Sequence, residues 1–305
     1  MRVGISCYDL SVAGLVELAS AAEQTGFDSL WLGEHVLAPM SYDSVHPAAP
    51  GPRGHAGADH NGKPIVDPSV HLTDPLIALT AAAGATETLR LATGIYLLPL
   101  RHPLLAARSV ATLAEASGGR FSLGVGAGWL REEFSALDVA FAGRTARMQE
   151  QIRLVRSALA GGPFEFQGEH YRVDRVQLCR EPVDVAIIMG GNSEPALARA
   201  VRLGDGWFSS GIPSLEQALR LRDRLAELCT QQGRATPLPT TWRVGSVDPQ
   251  LLERYAREGF EDIVVMAYDV WTGADAPARR AHLEDTARLL GMRPHPATKP
   301  NGVLT

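Results

Sequence analysis

Apolar, β-prone runs, about eight of them, alternate with helical patterns along this 305-residue chain, and no linker-like break separates them. That alternation predicts an α/β fold built on a parallel sheet. A second observation favours a closed barrel over a doubly wound sheet. Polar and glycine residues gather where strands end, at Glu34 and His35, Gly94 to Tyr96, Gly126 to Trp129, Gly190 to Ser193, Ser209 to Gly211 and Tyr268 to Trp271. The third observation is an unpatterned segment, 36–73, rich in Pro, Gly, His and Asp, which is long for an idle connection in a compact domain. Together these predict a TIM (β/α)8 barrel with a long lid insertion after strand 2. One domain then covers residues 1–292, with the lid at 36–73 and a poorly ordered tail at 293–305.

The elements follow in order. Arg2 to Cys7 reads as the first strand, and Ser11 opens a helix with Leu15, Leu18, Ala19 and Ala22 on one face, stopped by Gly26. Phe27 to Leu32 is the second strand. After the lid, Asp74 caps a helix with Pro75 at its first position, running to Ala85. Leu91 to Leu98 is an apolar run suited to a strand buried on both faces, and Pro99 and Pro103 stop it. A helix from Leu104 ends at Gly118 and Gly119, and Phe121 to Val125 is the next strand. Glu132 to Leu137 and Arg144 to Leu159 are helical, and Phe164 to Val173 alternates as a small hairpin. Val183 to Met189, Asp205 to Ser209, Thr240 to Val244 and Asp262 to Ala267 complete the strands. Helices are predicted after Ser193, over Ser214 to Gln231, over Asp248 to Glu258 and over Ala276 to Leu290.

A formal charge of -5 and a pI near 6.0, without a dense Lys/Arg run, argue against a nucleic-acid partner. No stretch is long and apolar enough to span a membrane, and residues 1–20 lack the pattern of a signal peptide, so a cytoplasmic location is expected. Cys7, Cys179 and Cys229 are odd in number and far apart, which suggests reduced, buried thiols and not a disulfide framework.

Four features carry chemistry. Gly190, Gly191, Asn192 and Ser193 follow a buried strand and open a helix, where backbone N–H groups and the helix dipole favour a phosphate; a tight turn with Ser193 as a simple cap is the structural alternative. Gly124, Gly126 and Gly128 alternate without the spacing of a dinucleotide fingerprint. They suit close approach of a flat ring with Trp129 as a wall, or else close packing of the backbone itself. His35, beside Glu34 under the lid, is the candidate acid or base. His46, His55, Asp59, His60, Asp67 and His71 in the lid have no defensible ligand spacing, so no metal is expected.

Several motifs in order give a resemblance. Trp31 to His35, Asp74-Pro75-Leu76, Thr93-Gly94 with Pro99, Gly119-Arg120-Phe121, Gly124 to Trp129 with Glu133-Phe134, Arg144 to Glu150, Gly190-Gly191 and Gly204 to Trp207 are similar to the bacterial luciferase-like family of flavin- and deazaflavin-dependent oxidoreductases. The branch they resemble most depends on coenzyme F420. The resemblance runs from about Val3 to Trp207 and weakens beyond.

It implies a tricyclic ring at the C-terminal mouth of the barrel, its phosphate at Gly190 to Ser193, and a non-proline cis peptide at Gly94-Ile95 against one ring face. Cofactor contacts are expected from Cys7, Thr93, Gly94, Ile95, Gly126, Ala127, Gly128, Trp129, Met189, Gly190, Gly191, Asn192 and Ser193. His35 would be catalytic, oriented by Glu34, with Tyr8, Tyr96, Trp129, Tyr268 and Trp271 lining the substrate pocket. Some sugar-phosphate dehydrogenases of the family carry a carboxylate where this chain has Trp129, which argues against alcohol oxidation of that type.

The expected activity is hydride transfer from reduced F420 to an activated C=C or C=N bond of a small organic substrate. The open alternatives are a two-component FMN monooxygenase fed by a separate reductase, a barrel that binds flavin without turnover, and a metal-dependent hydrolase using the lid histidines. A homodimer is expected by family analogy.

Overall fold

The structure, a computed structural model, describes residues 1–47 and 66–294. In chain order the first half holds β1 (Arg2–Cys7), α1 (Val12–Thr25), β2 (Ser29–Leu32), α2 (Pro75–Gly84), β3 (Arg90–Thr93), α3 (Pro103–Ala116) and β4 (Phe121–Val125). Then come α4 (Arg131–Ala136), α5 (Arg144–Leu159), a hairpin of β5 (Pro163–Gln167) and β6 (Arg172–Gln177), β7 (Ala186–Gly190) and α6 (Glu194–Leu203). The chain continues through β8 (Gly206–Phe208), α7 (Leu215–Gln231), β9 (Thr240–Arg243), α8 (Pro249–Arg257), β10 (Asp262–Met266), α9 (Ala267–Val270) and α10 (Ala276–Leu289).

Eight strands pair in parallel and close in the order β1, β10, β9, β8, β7, β4, β3, β2. This is the expected TIM barrel. Side chains alternate across each strand, so one set faces the helices and the other fills the barrel. Ile5, Leu30, Leu91, Leu123, Ile187, Trp207 and Ile263 belong to the main apolar cluster with the helices, whereas Trp31, Ala92, Phe208 and Val264 form a second cluster with Ile95 and Ile188. Trp31 and Phe208 stack there with centroids 4.4 Å apart.

Local signals explain most boundaries. Asp74 accepts from the N–H groups of Leu76 and Ile77 and starts α2, while Gly26 ends α1 at a φ of 92°. Strand β3 is shorter than the apolar run predicts: after Thr93 the Gly94–Ile95 peptide is cis, and the chain leaves the ladder for a 3₁₀ turn at Leu98–Leu100. Only Tyr96 rejoins, as an isolated bridge to Val125. The 163–177 hairpin sits on α5, where the buried Glu150 carboxylate accepts the N–H groups of Glu169, His170 and Tyr171. Among the described residues no helix is long and apolar enough to cross a membrane. Residues 48–65 of the expected lid, and the expected tail beyond Pro294, lie outside the described residues.

Candidate active site

At the C-terminal end of β2 the chain turns out of the barrel wall, and its next two polar side chains part company. His35 is buried, and its Nδ1 lies 3.0 Å from Oε2 of Glu133, a carboxylate wholly enclosed in the first turn of α4. Oε1 of the same group accepts the N–H of Val36 at 2.6 Å. An ionised carboxylate only accepts, so Nδ1 carries the proton and Nε2 is the nitrogen left for a substrate. Trp129 and Tyr8 stand edge-on to the imidazole, at 5.7 and 6.0 Å between centroids.

The expectation that Glu34 orients His35 is therefore corrected. Neighbouring side chains on an extended chain point to opposite sides. Glu34 turns away, accepting the N–H of Leu97 at 2.7 Å and both terminal nitrogens of Arg101. Burial pushes its carboxyl up to about 7, against the pull of Arg101 and the Leu97 N–H. Arg101 also lies over the Tyr96 ring, 4.3 Å from its centroid.

The barrel-filling cluster forms the floor of the mouth. Ile95 lies between two glycines: a Cβ on Gly126 would meet Ile95 Cδ1 at 1.8 Å, and one on Gly190 would meet its Cγ2 at 3.1 Å. A Cβ on Gly124 would run into the Thr93 carbonyl at 1.9 Å, and Gly128, at a φ of 76°, abuts Phe134. The alternate glycines thus make room for protein atoms of β3, the cis turn and α4. Ala127 joins them in the loop and packs against the main apolar cluster.

At the other end of the mouth, Gly191 adopts a φ of 111° and Ser193 caps α6 in extended conformation without a bond from its own hydroxyl. The Glu194 carboxylate is held away by Arg224, Nε 3.0 Å from both oxygens. Asn192 differs from expectation. Its side chain is engaged with Ser210, donating to the carbonyl at 2.7 Å and accepting the N–H at 2.8 Å. The backbone at Gly190 to Ser193 and the Ser193 hydroxyl are what remain to hold a phosphate.

Five further side chains named from the sequence do not face the mouth. Cys7 and Met189 fall on the helix-facing side of their strands within the main apolar cluster, and Cys7 Sγ donates to the Trp31 carbonyl. Burial pushes that thiol up to about 12. The Thr93 hydroxyl ties β3 to β4 through the Gly124 carbonyl. Tyr96 sits beneath Arg101, and Trp271 packs into the cluster with Arg279 5.7 Å from its ring. Tyr8 and Trp129 do gather at His35, and Tyr268 lies within electrostatic reach of Arg243.

Three groups at the mouth went unrecognised in the sequence. Glu133 was visible only as part of a motif. Arg243 is the polar last residue of β9, a strand read one residue too long. His46, weighed only as a metal ligand, stands edge-on to Trp129 at 5.2 Å. The segment before it is held here because Ser44 Oγ donates to Glu132 at 2.7 Å and the Asp43 N–H to the same carboxylate at 3.0 Å. Among the described residues no three His, Cys, Asp or Glu side chains could hold a metal ion; His55, Asp59 and His60 lie outside them.

Comparison with known proteins agrees with this fold. The sequence matches the family model for luciferase-like monooxygenases over residues 5–289. An uncharacterised protein of Mycobacterium tuberculosis is 33% identical over 256 residues, covering 82% of this chain and 83% of that protein. An F420-dependent glucose-6-phosphate dehydrogenase of Nakamurella multipartita is 32% identical over 210 residues, covering 66% of this chain and 53% of the relative. Among solved structures, the monooxygenase RslO1 from Streptomyces bottropensis superposes with a TM-score of 0.69 at 19% identity, over 94% of this chain and 98% of that one. An F420-dependent secondary alcohol dehydrogenase, captured with an F420-acetone adduct, gives 0.63 at 19% identity over 94% and 83%. At such identities the structures establish the shared fold.

Proposed function

Because this chain belongs to the luciferase-like monooxygenase family of oxidoreductases, we propose that it is a coenzyme F420-dependent reductase acting on an activated C=C or C=N bond of a small organic substrate. The observation that carries this reading is the His35–Glu133 pair, a histidine at the barrel mouth with Nδ1 fixed by a carboxylate, which leaves Nε2 for the substrate. The F420-dependent dehydrogenases among the relatives support the choice of cofactor. When bound, reduced F420 supplies a hydride equivalent.

The residues present fit such a group. Ile95, held between Gly126 and Gly190, offers an apolar platform, and the turn at Gly190 to Ser193 offers N–H groups and a free hydroxyl for the phosphate. With both ring nitrogens protonated, His35 gives its Nε2 proton to the substrate and is left neutral with the proton on Nδ1, which Glu133 holds in place. Trp129, Tyr8 and His46 narrow the mouth and keep water from the reacting carbon.

Titration with F420 and with FMN tests the assignment. Micromolar binding of F420 with FMN at least tenfold weaker is expected, and the reverse selectivity overturns it in favour of a monooxygenase supplied by a separate reductase. If His35→Ala turns over at the wild-type rate, the catalytic role of His35 is wrong whichever ring binds.

A further inference from the structure

Arg243 ends β9 with its guanidinium inside the barrel, 4.7 Å from the centroid of the Phe208 ring. Among the described residues its one hydrogen bond runs from Nη2 to the Gly94 carbonyl at 2.8 Å, and its Nε is enclosed without a partner. Among the described residues no carboxylate is paired with it. The groups that act on it electrostatically are Tyr268, Cys7 and His46, and burial pushes the Cys7 thiol up, away from the thiolate.

The acids nearest the mouth are engaged elsewhere: Glu34 with Arg101, Glu133 with His35 and Val36, Glu132 with Ser44. Asp262, by contrast, is an enclosed charge matched by Arg2 and Arg90. A guanidinium withdrawn from water without a counter-ion is costly, and its planar fork suits a planar anion better than a point charge.

We propose that Arg243 is the anion receptor of the barrel mouth, and that it takes a planar, charge-delocalised anion: the carboxylate of a substrate or the negative charge spread over the cofactor ring. Its place decides why this matters for the reaction. The guanidinium holds the Gly94 carbonyl of the cis turn and lies within electrostatic reach of His46, itself within reach of His35, so an anion bound there lies beside the reacting region, where His35 supplies the proton. An arginine at this position selects against neutral isosteres of the same shape, because these leave the half-buried cation unpaired.

The proposal rests on the barrel mouth being the reaction site, and not on which ring occupies it. Calorimetric titration of the full chain with benzoate and with its neutral isostere benzamide, without cofactor, tests the substrate arm. F420 titration of the same proteins tests the ring arm. Wild-type protein is expected to bind benzoate at least tenfold tighter than benzamide. Arg243→Met is expected to erase the preference and Arg243→Lys to keep part of it. Arg243→Gln gives the same reading if the Met variant does not fold.

If Arg243→Met instead leaves the two probes unchanged and weakens F420 binding tenfold or more, the anion is that of the ring. Equal binding of benzoate and benzamide to wild type, with F420 affinity indifferent to Arg243, overturns the proposal. A protein that prefers FMN to F420 yet discriminates benzoate through Arg243 defeats the proposed function and leaves this inference standing.

Discussion

Glu133 grips two consecutive residues after β2: Oε2 lies 3.0 Å from His35 Nδ1, and Oε1 accepts the Val36 N–H at 2.6 Å. The acid comes from α4, which follows β4, and the histidine from the loop after β2, so the pair spans the β3 sector that lies between those strands. Orienting a histidine and anchoring the backbone that follows it are thus duties of one carboxylate.

That double duty makes Glu133→Gln informative. The amide keeps the volume and still accepts one hydrogen bond, but it removes the charge that holds Nδ1–H and stabilises the protonated ring that donates from Nε2. Positioned acid–base groups contribute roughly 10²–10⁴-fold to rate. We expect kcat to fall about 10- to 100-fold with KM nearly unchanged, and Glu133→Asp to restore part of it. Steady-state kinetics beside a thermal melt decides: a loss confined to KM, or a collapse of stability alone, contradicts the positioning role.

Glu34 and Arg101 form a separate, structural pair, and its pH dependence has a definite sign. Burial raises the Glu34 carboxyl from the usual value to about 7, so the folded protein holds this proton through a range where the unfolded chain has lost it. Stability from the group is full below about 4.5 and declines as pH rises through 7. Arg101 offsets that decline. Arg101→Met should cost about 3–5 kcal/mol at pH 8, where the carboxylate is left charged and enclosed, and markedly less at pH 5. Urea denaturation at the two pH values measures this, and an equal cost at both would show that Glu34 is not the group responsible.

The glycines of the β4 loop divide into two kinds. At Gly124 a methyl group would strike the backbone carbonyl of Thr93, which cannot rotate away, whereas at Gly126 it would strike the end of the Ile95 side chain, which can. Gly124→Ala should therefore lower the melting temperature by several degrees, in the range of a core overpacking of about 1–3 kcal/mol. Gly126→Ala should melt close to wild type but bind cofactor at least fivefold more weakly, because Ile95 is displaced into the mouth. Melting curves and cofactor titration of both variants separate the two.

The barrel was legible because its information is local: alternating strand and helix signals, proline and aspartate caps, and polar residues at strand ends. The site was legible only as far as neighbouring positions go. His35 and Glu34 are adjacent in sequence, and adjacency suggested partnership, but the pleat of an extended chain sends them apart and brings Glu133 in from 98 residues away. Tyr96 and Trp271 looked like pocket walls because they lie near strand ends, yet their rings are drawn under Arg101 and beside Arg279. Arg243 obeyed the strand-end rule and was missed because β9 was read one residue too far. Distances across the barrel carry what sequence order does not.

His46 gives the 41–47 segment a pH response. Burial, reinforced by the electrostatic effect of His35 and Arg243, lowers it from 6.5 to about 4, so between these values the undocked segment binds a proton that the docked segment does not. Docking is at full strength above 6.5 and weakens as pH falls toward 4. The neighbouring Glu132 does not confuse this window. Burial pushes its carboxyl up, but the bonds from Ser44 and Asp43 outweigh that and hold it below the usual carboxylate range. The Asp43 and Ser44 N–H groups that donate to Glu132 report docking directly. Their hydrogen-exchange protection, corrected for the intrinsic pH dependence of exchange, should fall severalfold from pH 7 to pH 5 in wild type. It should stay level in His46→Gln, which has nothing to protonate; a fall of the same size in that variant would assign the response to another group.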